Sequence, residues 1–176
     1  MTTFIALLRA VNVGGTGKLP MEELRAMCEA AGFRSVRTYI ASGNVVFESS
    51  LREAALTKAL EAKLLAFAGK PVGVMVRTAA EMAGVLARNP FADSPPNRTV
   101  AIFFSAPLPA SVLDTISGRA DEEIQLGGRE MYVRYGANMG RSKLKIPAAR
   151  DGTARNMNTV AALARMAKAP EPGLPA

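Results

Sequence analysis

The spacing of apolar residues changes period several times along the first part of the chain. Thr3–Leu8 is a continuous apolar run, as expected of a strand buried on both faces. Leu24, Met27, Cys28 and Ala31 then recur at helical spacing behind Pro20, a residue suited to the first helical position, and Gly32 is a helix stop. Val36–Ala41 and Val45–Phe47 read as strands joined by the tight turn Ser42-Gly43-Asn44, where Gly or Asn tolerates positive φ. Ser50 and Glu53 have capping-box spacing, Leu56, Leu60, Leu64 and Phe67 form one inward helix face, and Gly69 ends it before a strand at Val72–Val76. Residues 1–77 thus predict the order β-α-β-β-α-β.

A further helix starts at the Thr78/Glu81 capping box, buries Met82, Val85 and Leu86, and ends at Asn89-Pro90. Asp93 to Asn97, with Pro95-Pro96, is a polar joint, and the domain boundary is placed there: 1–92, then 97–168, then a frayed tail at 169–176. The second half starts the same order again, with a strand at Thr99–Phe104, a short helix at Pro109–Ile116, and a hairpin of Ile124–Leu126 and Met131–Tyr135 through Gly127-Gly128. A weak helix is expected at Arg141–Ile146, and a last one from about Thr153 to Lys168. The expected fold is α+β: two ferredoxin-like (split β-α-β) halves, the second lacking its last strand, plus a C-terminal helix. The halves look like a structural duplication without obvious sequence repetition.

Composition narrows the chemistry. The 176 residues are 49% hydrophobic, enough for a substantial core, and no apolar run approaches the roughly 18–20 residues of a membrane span. Met1–Arg9 lacks a basic n-region and a small-residue cleavage site, so it reads as a strand and not a leader. The single Cys28 has no disulfide partner within the chain, which fits a reducing cytoplasm, and its helix-face position marks it as a core thiol. There is no histidine, which removes Ser-His and Cys-His arrangements and the usual zinc ligand sets. No catalytic residues, metal or cofactor are assigned, and an enzyme would have to rely on Arg, Lys or Tyr. The net charge of +7 is concentrated toward the C-terminus: residues 129–168 hold 9 basic and 2 acidic groups. Such a focus attracts phosphates, nucleic acid or acidic partners, and it equally describes a solvated basic face.

Two polar constellations are candidate ligand sites. In a β-α-β-β-α-β unit, the end of the first strand and the strand two–three turn share one sheet edge. Arg9, Asn12, Gly14 and Gly15 would therefore meet Ser42, Gly43 and Asn44, offering guanidinium, amide and backbone N–H donors. Gly14–Lys18 looks like a phosphate loop, but the P-loop pattern would need Gly at Asn12 and Ser or Thr at Leu19, and Glu22 and Glu23 oppose an anion at the helix start. In the alternative reading, these glycines only turn the chain and Asn12 ties the loop to its neighbour. The second constellation is Arg155, Asn156, Asn158 and Thr159, either ligand contacts or internal ties and caps. A nucleic-acid surface is the other alternative, through Arg134, Arg141, Lys143, Lys145 and Arg150. Tyr132, between Arg129 and Arg134, reads either as a base-stacking platform or as core.

The runs R-A-V-N-V-G-G with K-L-P-M-x-x-L, T-Y-I-A-S-G-N-V-V-F and R-N-M-N-T-V resemble the bacterial family called domain of unknown function 1697, in order from Thr3 to about Lys168. The resemblance implies a cytoplasmic α+β protein with ferredoxin-like halves and no established activity, so it brings no catalytic residues. The chain departs from the family pattern at Met157, where Trp is usual, and in a shorter, less helical segment between Leu144 and Ala154. The leading expectation is a small anionic or nucleotide-like ligand held between the Arg9/Asn12 loop, the Ser42 turn and the Arg155–Thr159 helix start. Nucleic-acid binding by the basic 129–155 region, and an interaction or homodimerisation domain using an exposed sheet edge, are the alternatives.

Overall fold

The computed structural model describes residues 1–11 and 18–168. Asn12, Gly14 and Gly15 lie outside the described residues, as does the tail from 169. The chain forms two compact units, one of Met1–Met82 with the chain from Leu163 onward, the other of Ala83–Ala162. The joint at Asp93 to Asn97 falls within the second.

The first unit contains strands β1 (Thr2–Leu8), β2 (Arg34–Tyr39), β3 (Asn44–Ser49) and β4 (Val74–Thr78), with helices α1 (Met21–Ala30) and α2 (Glu53–Ala68). The sheet order is β2-β3-β1-β4, every pair antiparallel. β1 is central, and its apolar run from Phe4 to Leu8 is buried throughout because both sheet faces are covered. Phe4, Ala6 and Leu8 share a core with Val45, Phe47, Val74 and Val76, closed by Leu24, Met27 and Cys28 of α1 and by Leu56, Leu60 and Leu64 of α2. Phe33 stacks on Phe47 with centroids 4.4 Å apart.

Three local expectations change here. Pro20 is the N-cap of α1, one place earlier than expected. Arg52 is the N-cap of α2, so Ser50 and Glu53 do not occupy the cap and N3 positions. Phe67, expected to face the core, is 45% exposed. It lies in the last turn of α2 before Gly69 (φ +72°).

Helix α3 (Ala79–Ala87) leaves the first unit and enters the second, which holds β5 (Thr99–Phe103), β6 (Glu123–Leu126), β7 (Glu130–Arg134) and β8 (Thr153–Asn156). The sheet order is β6-β7-β5-β8, again all antiparallel. β8 is a correction: the second half does have its last strand, and α4 begins at Met157 instead of Thr153. The strand escaped notice because its two buried positions carry Thr153 and Arg155, so no apolar alternation marks it. The helices expected at Pro109–Ile116 and Arg141–Ile146 are also corrected. The first is a 3₁₀ turn, Ala110–Thr115. The second begins at the end of a 3₁₀ turn, Met139–Arg141, and continues from Ser142 as an extended ribbon whose Lys145 exchanges backbone hydrogen bonds of 2.8 and 3.0 Å with Ser117. Pro147 then opens a further 3₁₀ turn, Pro147–Asp151. α4 (Met157–Lys168) starts in the second unit and ends in the first, where Arg37 Nη2 donates to the Met166 carbonyl at 2.8 Å. A guanidinium on a last-turn carbonyl caps the negative end of the helix dipole.

Candidate functional site

β1 ends where the sheet brings two turns against it. Leu8 N–H donates to Gly43 O at 2.8 Å, and Arg9 N–H to Gly73 O at 2.9 Å. The end of β1 thus meets the Ser42 turn through Leu8, while the Arg9 backbone bonds to Gly73 on the β4 side, and Gly43 and Asn44 of the turn are buried. Gly43 has φ +87°, and a Cβ there would lie 2.5 Å from Val11 Cγ2 and 2.9 Å from Leu8 Cβ. Asn44 is 0% exposed, and its Nδ2 donates to Tyr39 O and to Ser42 Oγ, both at 2.9 Å. Gly43 thus stitches the turn to β1, while the Asn44 and Ser42 side chains bond within the β2–β3 connection. Arg9 itself is exposed.

Just past this stitch is a cavity of about 380 Å³. Ala10 and Val11 leave β1 on one side, and Lys18 and Leu19 approach α1. Leu64, Phe67 and Ala68 of α2 make the opposite wall, and Lys70 and Val72 lead to β4. Among the described residues neither Lys18 nor Lys70 has an ion-pair partner. An apolar space with a few convergent charged groups is the usual form of a small-molecule site. A second groove, of about 350 Å³, runs along the other side of α2 past Ala62, Leu65 and Gly73.

Sequence reasoning missed Lys18, Phe67 and Lys70 as a set. The available signal was K-L-L-A-F-A-G-K-P, which carries more apolar residues at a helix end than one inward face can bury.

The second constellation is placed at the β8–α4 junction of the second unit. Arg155 is 7% exposed, and its Nη1 donates to Thr153 Oγ1 at 2.7 Å and Ala154 O at 2.8 Å. Loss of water around the guanidinium holds its pKa down to about 10. Asn156 Oδ1 accepts the Thr159 N–H at 3.0 Å, an N-cap bond, and Asn158 is exposed. The first unit repeats this device at Arg77, which is buried and donates from Nη1 to Val76 O at 2.9 Å. Thr78 and Glu81 follow with reciprocal capping bonds of 3.1 Å each, the predicted capping box. A buried arginine immediately before the cap residue of a helix therefore occurs in both units, a structural repeat that the differing residues around it conceal.

The basic region divides in two. Arg134 is engaged, donating to Glu123 Oε1 at 3.0 Å and Asp121 O at 3.1 Å. Arg141, Lys143, Lys145 and Arg150 are exposed. Tyr132 is 1% exposed and its hydroxyl donates to Val85 O at 2.6 Å, so the stacking-platform reading gives way to core packing. Burial of Cys28, aided by the neighbouring Glu29 charge, pushes its thiol up to about 12, which suits a core thiol and no nucleophile.

These features define an α+β protein of two four-stranded antiparallel sheets, with a lysine-flanked apolar cavity at the end of the first central strand. Residues 1–132 match the family described as "Protein of unknown function (DUF1697)", and the chain belongs to that family. The fold is similar to that of a solved structure, the conserved bacterial protein SP0830 from Streptococcus pneumoniae, with a TM-score of 0.80 at 24% identity, covering 95% of this chain and 99% of that one. No curated protein matches the chain. Among the described residues no helix is long and apolar enough to cross a membrane.

Proposed function

We propose that the protein binds a small anionic ligand with an apolar body, of nucleotide-like or aromatic-acid type, in the cavity between the end of β1 and the last turn of α2. The observation that carries this reading is the pairing of an apolar wall (Val11, Leu19, Leu64, Phe67, Val72) with two cations, Lys18 and Lys70, that have no ion-pair partner among the described residues. The exposed Phe67 ring supplies a stacking surface for a flat body, and the ammonium groups supply charge for a phosphate or carboxylate. The ligand reading thereby moves from the Ser42 turn, whose polar groups serve the fold, to the opposite side of the β1 end.

The same reading treats each sheet with its helices or 3₁₀ turns as a split β-α-β, ferredoxin-like unit, supported by the matching strand orders of the two sheets. It places the protein in the cytoplasm, supported by one buried reduced thiol and no disulfide.

The test is calorimetric titration with 1-naphthyl phosphate, with 1-naphthol and inorganic phosphate as its two halves. The phosphate ester is expected to bind more tightly than either half. Lys18→Ala/Lys70→Ala should weaken it by about 3- to 20-fold, as expected for two partly exposed charge contacts. Ala68→Trp, which fills the cavity from an exposed position, should abolish binding without lowering Tm. No heat with any probe, or equal binding to the Ala68→Trp protein, overturns the assignment.

A further inference from the structure

The segment Arg141–Ile146 has an order that its weak helical pattern conceals. Exposed and inward positions alternate strictly: Arg141, Lys143 and Lys145 are exposed, while Ser142, Leu144 and Ile146 are half-buried. Leu144 and Ile146 pack on the core made by Val100, Ile102, Phe104, Met131 and Val133. The ribbon is pinned at Ser117–Lys145 by its two backbone hydrogen bonds. It also presses on Gly118 (φ +70°), where any Cβ would collide with the Lys143 carbonyl. Its backbone is therefore set before any partner arrives: Lys143 and Lys145 are exposed two residues apart, about 7 Å along an extended chain, and Arg141 precedes them at the end of a 3₁₀ turn.

The charge around these cations is favourable. Among the described residues Arg141, Lys143 and Lys145 have no ion-pair partner. The acid bonded to the ribbon, Glu122, is buried, with Oε1 accepting from the Ser142 hydroxyl and Oε2 from the Ala120 N–H. A lysine pair at the two-residue repeat of an extended chain, with Arg141 just before it, suits consecutive phosphates of one flexible strand. A duplex offers its phosphates in two rows across a groove, and this ribbon carries no helix to enter one.

We propose that the Arg141–Lys145 ribbon is a sequence-independent docking site for the phosphodiester backbone of single-stranded nucleic acid. It contacts phosphates and not bases, because the fully buried Tyr132 leaves no stacking platform on β7. The site is separate from the small-ligand cavity and does not depend on it.

Fluorescence anisotropy of a labelled oligothymidylate 20-mer with the full chain, between 20 and 200 mM salt, tests the proposal. Three phosphate contacts predict that log K falls with log salt at a slope of about −2. Lys143→Gln/Lys145→Gln should reduce this slope to about −0.7 while the far-UV spectrum stays unchanged, both side chains being exposed. Lys58→Gln/Lys63→Gln on α2, the same charge change in the other unit, should leave the slope intact. No binding at 20 mM salt overturns the proposal. So does an equal loss from both lysine pairs, which would mark diffuse attraction to net charge. Polyglutamate binding as tightly as the oligonucleotide, or a 20-base-pair duplex binding more tightly than the single strand, also overturns it.

Discussion

Gly43→Ala separates the Ser42 turn's part in the fold from any part in ligand binding. Two costs are visible at this position. Alanine at φ +87° is disfavoured by about 1–2 kcal/mol relative to glycine. The new methyl would also lie 2.5 Å from Val11 Cγ2 and 2.9 Å from Leu8 Cβ, with Leu8 held by its hydrogen bond to Gly43 O. Val11 borders the cavity and can turn toward it, but Leu8 is fully buried with its Cβ fixed by the backbone, and overpacking of this kind adds about 1–3 kcal/mol. Gly69 supplies the internal control. Its φ is +72°, but nothing lies within 4 Å of its Cβ position, so Gly69→Ala carries the backbone cost alone. Thermal melts followed by far-UV circular dichroism should place Gly43→Ala below Gly69→Ala by roughly 2–12 °C, the clash being about 1–3 kcal/mol at the scale of a chain this size. Equal melting temperatures for the two variants would show that contact with Leu8 and Val11 does not constrain the turn. Because the loss acts through folding, reduced ligand binding by Gly43→Ala would say nothing about the site, which is why Ala68→Trp is the informative variant there.

Two further outcomes follow from buried polar groups. Cys28, raised to about 12 from a usual 9.0, should react with iodoacetamide at pH 8.5 at least about 10³-fold more slowly in the native protein than in urea; a native rate like that of a free thiol refutes the buried placement. The sign for stability is that the thiol's contribution is complete below pH 9.0 and declines as pH rises toward 12. Glu122 titrates below its usual 4.5, first because of the Ser142 hydroxyl and then the Ala120 N–H, so its contribution is present above pH 4.5 and lost as pH falls through the lowered value. Ser142→Ala should therefore melt below wild type at pH 7, with the gap narrowing by pH 3, and a gap independent of pH would refute the pairing.

What the sequence by itself determined is concentrated in the first unit. β1 is an apolar run because it is central and covered on both faces, and α1 and the Ser42 turn carry periodicity and glycine placement that local sterics impose. Those signals depend on near neighbours in the chain, so they can be read without a fold. The meeting of β1's end with the Ser42 turn also followed from strand order alone.

Tertiary structure decided the rest. β8 buries Thr153 and Arg155, polar residues that become strand positions only because β5 presents an edge to pair with. The ribbon from Ser142 to Ile146 has helix-like composition but is held extended by Ser117 and Gly118, which lie over twenty residues earlier. Tyr132 looked like an aromatic between cations, and Val85 of α3 made it core. Phe67 looked like core, and in the fold it is exposed beside a cavity. In each case burial was set by a partner distant in sequence, and the pattern of one segment does not record which partner will cover it.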